Sequence, residues 1–569
     1  MSSVDVAATR AFAPRAIAMA FSTMALMHLR YAIGSCCRRR HVVRTISVES
    51  FDVSLRPSRT WRDKAVHRLA NATHVSEDAI SVAFTTFELV CQSYQAIQVA
   101  EYVVARSFVV VYVVVVAVHC ILSPWLLVAP SHVPAKHFLL NWSNSVFSFG
   151  LTCLLPLLGL LLPVLQYLIV DSTLGSDPVW STHVLLFSRI AVVSSPVGFL
   201  VKVTIDVGTL VSLRRLDGVL TRASGRRSRP RHAPNAPSWM LWLYVVLCAA
   251  WGVVLGALCI QGMLFRQACP PYCIVSTTPL FDRSCQCRYL HMDCHTLHNA
   301  SLDVDDVLDP ATIGSALFIL QVSRCDIPNG ISNTSLARQP GLFAITLQFT
   351  RMHSWPGTLP PTTASIVLRQ CAFSTIPAIL EKVLPATMRI LIVESTPLAS
   401  LPLQISRLWH PLASLQLINT SLRELPMAIT SLANLNSLSL FNNRIQHVPV
   451  AWQSQLNALP NFRSLNLAAN DLTELPTMLR TDIDVDLSLN PIGSLPQGLD
   501  LDRLLKLKLS HTSYCNETYP SPPSICAASA CAHACQFSMV GDRNCDVGCF
   551  NAACDFDGTD CKEYGLEPP

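Results

Sequence analysis

The densest set of potential metal-binding residues lies near the C-terminal end of the chain. Six cysteines between Cys531 and Cys561 are separated by 3, 9, 3, 4 and 6 residues, and the segment ends in DGTDC (557–561). About 30 residues cannot form a self-sufficient hydrophobic core, so such a segment needs disulfide bonds and a metal. Clustered carboxylates supply hard oxygen ligands, which favour calcium. The sequence therefore predicts a small disulfide-rich, calcium-binding module at 531–561.

This spacing resembles the Lin-12/Notch repeat (LNR), whose closing C-x3-C-x4-C-x6-C pattern with DGxDC is distinctive. The resemblance implies three disulfide bonds, which are Cys531–Cys554, Cys535–Cys549 and Cys545–Cys561. It also implies that calcium is bound by Asp542, Asp557 and Asp560. Asp546 and Asp555 add negative charge nearby, either around the metal or simply at the surface.

Further upstream, from Leu317, the chain repeats a pattern with a period of 20 to 27 residues. The clearest unit, 425–449, reads LPxxIxxLxxLxxLxLxxNxIxxVP and resembles the leucine-rich repeat. Leu438 and Leu440 lie two apart on a short strand, so both point into the core. The Asn443 amide can bond backbone groups of adjacent coils. Nine units are predicted, starting at Leu317, Leu342, Thr363, Met388, Leu412, Leu435, Phe462, Asp482 and Leu504.

The residue type at the position equivalent to Asn443 varies between units. Asn470 and Asn490 occupy it in later coils, whereas earlier coils have Cys325, Thr350, Cys371, Thr396 and Thr420. Cysteine and threonine can also donate to backbone carbonyls, so these coils are expected to be divergent members of the same solenoid.

Residues that point outward from the short strands define a prospective binding face. An apolar patch flanked by polar residues is typical of such a face, although ordinary variation on an exposed sheet is the alternative. The residues predicted to contact a ligand are Val367, Arg369, Ile392, Glu394, Gln416, Ile418 and Phe441.

Cysteines flank both ends of the repeats. Before them stand Cys269, Cys273, Cys285, Cys287 and Cys294, and after them Cys515 and Cys526. A solenoid exposes a hydrophobic face at each end, so both groups are interpreted as disulfide caps. A zinc site is the alternative for the first group. The sequence does not fix how the first group and Cys325 pair.

Composition and charge indicate a membrane. Hydrophobic residues make up 51% and charged residues 14% of the chain, against about 25% charged in soluble proteins. Residues 1–265 carry a net charge of +11, whereas the remainder carries −6 and holds fifteen of the 22 cysteines. A basic half and an acidic, cysteine-rich half are typical of the two sides of one bilayer.

Three uncharged stretches, at 107–129, about 145–170 and 239–265, are long enough to cross a hydrocarbon core of about 30 Å. A fourth, 183–201, contains Arg189, which costs about 2.5 kcal/mol or more on insertion. We therefore predict three or four spans. Three would place the N-terminus in the cytosol and four outside. Residues 76–105 are expected to form a helix leading into the first span.

Eight basic residues between Lys202 and Arg231 indicate a cytosolic loop, so the chain beyond Phe265 is predicted to be extracellular. Four glycosylation sequons agree, and they lie at Asn299, Asn333, Asn419 and Asn516. The WxxxLGxxC spacing at 251–259, followed by cysteines in CPPYC and CQC, resembles WLGC-type membrane proteins that carry such ectodomains.

The predicted fold class is a multi-domain membrane protein with an α-helical transmembrane region, an α/β leucine-rich-repeat solenoid and an LNR module. The predicted parts are a basic N-terminal region (1–106), spans (107–265), an N-terminal cap (266–316), repeats (317–512), a C-terminal cap and linker (513–530), the LNR (531–561) and a tail (562–569).

The predicted function is a receptor-like or adhesion protein at the plasma membrane. Its solenoid would bind an extracellular protein, peptide or glycan, its helices would contact the lipid bilayer, and a cytosolic partner would carry any signal. No nucleic-acid partner is expected. No HExxH, GxSxG, Walker or dinucleotide motif is present, so we do not expect an enzyme. The alternative is a transporter or channel subunit with a regulatory ectodomain.

Overall fold

The structure is a computed structural model. It describes residues 77–128, 136–191, 196–224, 238–298, 303–398, 401, 404–476, 478, 480, 482–495, 506–517 and 524–566.

A helical part comes first in the chain. Its helices in the described residues are α1 (Glu77–Tyr102), α2 (Arg106–Val128), α3 (Lys136–Phe149), α4 (Leu155–Leu165), α5 (Pro178–Ala191), α6 (Pro196–Ser224) and α7 (Ser238–Leu264). Single π-helical turns, Gly150–Leu154 and Gln166–Val170, flank α4. By length and composition, two described helical stretches could cross a membrane, Arg106–Leu126 and Trp239–Leu264, and Leu155–Val170 is a shorter apolar stretch.

Helix α1 folds back along α2 instead of leading into it. The Tyr112 hydroxyl donates to Gln95 Oε1 at 3.0 Å. Two turns later in α2 and about one turn earlier in α1, His119 Nδ1 lies 2.6 Å from Gln92 Oε1. The two helices are therefore antiparallel. The turn between them lies against the repeat domain, because Arg288 Nη2 donates to the Glu101 carbonyl at 2.7 Å.

Other helix ends meet on the same side. Asp171, which follows the turn Gln166–Val170, is bound to Arg543 near the C-terminal end of the chain, and α7 ends at Leu264 just before the N-terminal cap. Residues 102–106 and 171 thus lie on the same side as the repeats. Helix α2 therefore leads away from the repeats, and the chain has returned to them by residue 171.

An eleven-stranded sheet forms the repeat domain, with the strands in chain order. They are β1 (Cys273–Ser276), β2 (Cys287–Asp293), β3 (Ile319–Ser323), β4 (Ala344–Gln348), β5 (Ser365–Arg369), β6 (Ile390–Glu394), β7 (Ser414–Ile418), β8 (Ser437–Ser439), β9 (Ser464–Asn466), β10 (Asp484–Asp486) and β11 (Leu507–Lys508). Strand β1 is antiparallel to β2, and all later pairs are parallel.

Strands β3 to β11 are the strands of the nine predicted units. Eight of them begin two residues after the predicted start of their unit, as β8 does after Leu435. Short helices on the return side are α8 (Val304–Val307), α9 (Pro310–Ile313), α10 (Asn333–Ala337), α11 (Ile405–Leu408), α12 (Val450–Asn457) and α13 (Ser513–Glu517). Leu438 and Leu440 are fully buried, as the alternation of strand side chains requires.

Asn443 links two coils. Its Oδ1 accepts from the backbone N–H groups of Thr420 (3.0 Å) and Leu422 (3.1 Å), and its Nδ2 donates to the Leu417 carbonyl at 2.8 Å. Asn470 and Asn490 make the equivalent bonds in later coils. These amides satisfy backbone groups that the tight turns would otherwise leave buried without partners.

Both caps are disulfide-bonded. The N-terminal cap contains Cys269–Cys285, Cys273–Cys287 and Cys294–Cys325, and the C-terminal cap contains Cys515–Cys526. With their sulfurs in these bonds, the first group cannot bind zinc. Cys325 therefore ties the first coil to the cap, whereas Cys371 keeps a free, buried thiol whose Sγ lies 3.8 Å from the Leu347 carbonyl oxygen.

Candidate calcium site and ligand-binding face

The terminal module, here residues 528–566, is a small disulfide-bonded unit. It contains β12 (Ala530–Ala532), β13 (Cys535–Gln536) and three short 3₁₀ turns, which are Val547–Cys549, Ala552–Thr559 and Lys562–Tyr564. Its bonds are Cys531–Cys554, Cys535–Cys549 and Cys545–Cys561. This is the pairing that the LNR resemblance implies.

The three predicted calcium ligands come from two loops that touch. Residues 555–559 all have positive φ, between 48° and 80°, which curls this loop tightly. Gly558 lies so close to Gly541 that a Cβ on Gly558 would be 2.9 Å from the Gly541 Cα. The loop that carries Asp557 and Asp560 is therefore pressed against the start of the loop that carries Asp542.

Asp557 is the centre of this acidic corner. Its side chain is fully buried, its Oδ2 accepts from the Asp546 N–H at 2.7 Å, and its Oδ1 has no hydrogen-bond partner among the described residues. Burial, with Asp560 and Asp542 nearby, raises the pKa of Asp557 to about 7. Burial also raises the pKa of Asp542 to about 6 and that of Asp560 above its usual range.

These residues fit a calcium ion. Burying a carboxylate oxygen without a hydrogen-bond partner costs free energy, and two more carboxyl groups with raised pKa values lie nearby. A hard divalent cation would offset this cost. Asp542 Oδ1 and Asp560 Oδ2 accept backbone N–H bonds, from Asn544 at 2.9 Å and Arg543 at 2.7 Å, and these bonds hold both carboxyl groups in place. Cys545 and Cys561 also lie beside Asp557, but their sulfurs are bonded to each other and cannot be ligands.

Asp546 has a role that the sequence left open. It is only 3% exposed, whereas Asp555 is exposed. Burial and the nearby Glu394 raise the pKa of Asp546 to about 9. Glu394 belongs to β6 of the solenoid and forms an ion pair with Arg369 of β5 at 2.9 Å. The acidic corner of the terminal module therefore faces the sheet of the repeat domain.

Polar contacts attach the terminal module to the outward face of the later strands. Asn466 Nδ2 donates to Gln536 Oε1 at 3.2 Å, and Gln536 Nε2 donates to Asp486 Oδ2 at 3.2 Å. The Ser529 hydroxyl donates to Ser488 at 2.9 Å.

Part of the predicted apolar patch is also covered by the terminal module. Phe441 is 2% exposed and lies in a cluster with Ala468, Ala469, Ile418 and Met539. Met539 belongs to the terminal module, so part of the predicted ligand-binding face already has an occupant from the same chain. No sequence pattern marks this contact, because it joins residues about 100 positions apart.

A chamber of about 910 Å³ remains in front of strands β1 to β6. Val367, Arg369 and Ile392 of the predicted face line it, whereas Glu394, Gln416, Ile418 and Phe441 do not. Residues 172–181 of the helical part form a second wall, and Arg543, Asn544, Glu563 and Tyr564 of the terminal module form a third.

Arg543 joins the wall formed by the helical part to the wall formed by the terminal module. It forms ion pairs of 2.9 Å with both Asp171 and Asp177. The Tyr564 ring packs against Phe349, with 5.2 Å between ring centroids, and its hydroxyl accepts from Gln348. Three separate parts of the chain thus enclose one space.

Three of the predicted glycosylation asparagines are exposed, namely Asn333, Asn419 and Asn516. Asn333 Oδ1 accepts from Thr358, and Asn419 Nδ2 donates to Ser395 Oγ at 3.2 Å. Asn299 lies outside the described residues.

Comparison with known proteins bears on these assignments. Residues 528–562 match the Notch LNR-domain family. The LNR prediction is confirmed for this part of the chain. A comparison with curated protein sequences found no match.

Three solved structures are similar to part of the chain. A TLR13–ssRNA13 complex matches with 19% identity and a TM-score of 0.29, covering 38% of this chain and 32% of the other. An internalin (inlF) from Listeria monocytogenes matches with 14% identity and a TM-score of 0.28, covering 37% and 64%. An octameric complex of Latrophilin 3, Unc5D and FLRT2 (LRR) matches with 18% identity and a TM-score of 0.27, covering 35% and 63%. The chain thus spans less than two thirds of the length of each.

Proposed function

We propose that the protein is a multi-pass cell-surface receptor-like protein whose leucine-rich repeats hold an extracellular ligand in the chamber. The chamber is the observation that carries the proposal. Its volume of about 910 Å³ lies in the range of about 300–1,000 Å³ that is usual for ligand pockets. One wall contains Val367, Arg369 and Ile392, three residues of the face that the strand pattern predicts to bind ligand.

The position of the second wall supports a receptor. Residues 172–181 include the segment that joins the turn after α4 to α5 and the first turn of α5, so a ligand in the chamber would contact the helical part directly. A bound ligand would then make more contacts with one arrangement of α4 and α5 than with another. Such a difference in contacts is what a ligand needs to shift a conformational equilibrium. We propose no catalytic role for any of these residues.

Calcium has a structural role in this proposal. Asp542, Asp557 and Asp560 would hold it, and the ion would neutralise carboxyl groups that otherwise repel one another in a module with little core. The metal would thereby stabilise the third wall of the chamber.

A test uses intact cells that express the full chain. Glycosidase treatment should increase the electrophoretic mobility of the protein if the repeats are extracellular. Surface proximity labelling would compare the wild type with Val367→Asp, which places a charge in the chamber, and Val383→Asp, a control at a residue 55% exposed outside the chamber. Neighbours lost from V367D alone are expected. Identical profiles for both variants would contradict the proposal.

A second function, ion or solute transport, is favoured by a buried polar cluster between α1, α2 and α3. His119 Nε2 lies 3.2 Å from Asn144 Oδ1, Gln92 Nε2 donates to Ser148 at 3.0 Å, and Ser148 contacts Glu88. Glu88 is 3% exposed and its Oε2 has no hydrogen-bond partner among the described residues. An ionisable group buried among membrane helices is a functional candidate by default.

Flux into vesicles that contain the purified full chain discriminates between the two functions. Transport through this cluster predicts flux that Glu88→Gln abolishes, with Glu101→Gln as a control at the end of the same helix. The receptor proposal predicts no flux above that of empty vesicles.

A further inference from the structure

We propose that the chamber binds a small uncharged amphipathic lipid, with its apolar body towards the helical part and its polar end towards the terminal module. This inference rests on the proposed function, and it names the class of ligand. It replaces the expectation of a protein, peptide or glycan, since parts of the chain itself bound the chamber on three sides.

The sheet register divides the outward face of strands β3 to β6 into three rows, and all of their residues except Ser323 and Glu394 line the chamber. The first row is Ile319, Ala344, Ser365 and Ile390, the second is Gln321, Thr346, Val367 and Ile392, and the third is Ser323, Gln348, Arg369 and Glu394. The first row is mainly aliphatic, the second is mixed and the third is entirely polar. The wall therefore has a polarity gradient across the strands.

The apolar end of this gradient faces the helical part. Ile319 packs in one cluster with Leu185 and Leu186 of α5. Residues just before the first row, Phe318 and Phe343, stack in the same cluster with 4.8 Å between ring centroids. The polar third row faces the terminal module, where Gln348 contacts Tyr564. A ligand that fits both ends must itself be amphipathic.

Charge pairing in the walls leaves an anionic head group without a free arginine, and Glu563, which also lines the chamber, would repel it. The two arginines that line the chamber are already paired, Arg369 with Glu394 at 2.9 Å and Arg543 with Asp171 and Asp177 at 2.9 Å each. A neutral donor is present instead. Gln321 accepts from the Tyr289 hydroxyl at 2.8 Å, and its amide nitrogen donates to no other described residue. Thr346 adds a hydroxyl in the same row, so the polar end of the ligand should be a hydroxyl or ester group.

The chamber adjoins a surface suited to lipid. Tyr167 lines the chamber, and the next three residues, Leu168, Ile169 and Val170, are 68%, 75% and 76% exposed. Exposed apolar residues in succession at the end of the apolar stretch 155–170 are suited to contact with acyl chains. An amphipathic molecule in the outer leaflet would therefore reach the chamber without crossing the aqueous phase.

Photolabelling of the full chain in lipid nanodiscs tests the inference. The probe is a diazirine-bearing monoacylglycerol, and its matched anionic counterpart is a fatty acid with the same diazirine chain. Peptide mapping should place the neutral label on β4, β5 and β6, and the anionic probe should label these strands at least about tenfold less, because an unpaired charge would be desolvated there. Equal labelling by both probes would overturn the charge argument.

Variants that fill the chamber complete the test. Ala344→Trp places an indole in the first row, and Ala378→Trp is a control at an exposed alanine that does not line the chamber. A344W should abolish labelling of the three strands while A378W keeps it. Ser365→Trp serves as a second filling variant if A344W fails to reach the cell surface. Labelling that survives both filling variants would refute the site.

The failure of this inference can be told apart from the failure of the proposed function. If V367D loses its cell-surface neighbours but no lipid probe labels the chamber, the ligand class is wrong and the receptor proposal stands. If V367D changes nothing and no probe labels the chamber, both are wrong.

Discussion

Replacement of Phe441 by alanine separates the docking of the terminal module from the stability of the solenoid. Phe441 is 2% exposed and is covered by Met539 of the terminal module, whereas Leu438 in the same coil lies in the solenoid core. Truncating a buried phenylalanine costs about 3 kcal/mol or more in protein cores. Because the terminal module supplies part of the burial of Phe441, we expect about 2–3 kcal/mol of that loss to fall on docking.

A loss of this size should raise the undocked population about 30- to 150-fold, since 1.4 kcal/mol corresponds to a factor of ten. Hydrogen exchange of the full chain measures it, because amides protected only by docking exchange in proportion to the open population. Peptides that cover 535–540 should exchange faster in Phe441→Ala, with the core strands β6 and β7 unchanged. Leu438→Ala is the matched control and should accelerate exchange within the solenoid itself.

A chain that ends after Ala528 supplies the second arm. There Phe441 should already be exposed, so Phe441→Ala should cost the shortened solenoid little, while Leu438→Ala should still cost about 2–5 kcal/mol. If Phe441→Ala destabilises the shortened and full chains equally, Phe441 is a core residue of the solenoid and the docking account is refuted.

Three further predictions concern the terminal module. In the folded protein without calcium, the pKa values of Asp542 and Asp557 are raised to about 6 and about 7, whereas an aspartate in the unfolded chain has a pKa of about 3.9. The protonated carboxyl groups therefore contribute fully to stability below pH about 3.9, and this contribution is lost as pH rises through about 6–7. The thermal unfolding temperature of the terminal module in chelator should therefore fall as pH increases. Saturating calcium should remove this trend, since the ion binds the ionised carboxylates. A rise in stability with pH in chelator would contradict the burial argument. Asp557→Asn should abolish calcium binding and stabilise the metal-free module near neutral pH, whereas Asp555→Asn, at an exposed position, should change neither property. Calorimetry measures the calcium binding, and thermal unfolding measures the stability. Arg543→Glu should release the terminal module from the helical part and increase protease cleavage within 562–566. Adding Asp171→Arg and Asp177→Arg should restore protection, so a triple variant as sensitive as R543E would contradict the ion-pair assignment.

Much of the solenoid follows from local sequence. The spacing of Leu438, Leu440 and Asn443 specifies a strand, its buried face and the turn after it, and each of these depends on residues a few positions apart. The disulfide pattern of the terminal module follows from its resemblance to a family with fixed cysteine spacing. Such features are encoded within one repeat or one short segment.

Contacts between distant parts of the chain could not be read in this way. Phe441 was predicted to point outward, and it does leave the solenoid core, but its cover comes from Met539, which no periodic pattern connects to it. The direction of α2 was similarly undetermined, because hydropathy identifies an apolar helix without its orientation. The Arg288 hydrogen bond to the Glu101 carbonyl, together with the packing of Tyr102 and Val104 against the cluster that contains Phe318, shows which end of α2 adjoins the repeats.

The placement of the terminal module against the solenoid is most directly tested by a photoreactive diazirine amino acid introduced at position 539 of the full chain. After irradiation, tandem mass spectrometry of the digested protein should find cross-links to the peptides that contain Ile418 and Phe441. The same amino acid at position 537, where Phe537 is 53% exposed, should give none of these cross-links. Cross-links from position 539 confined to the terminal module itself would show that the solenoid face is open and that the chamber lacks its third wall.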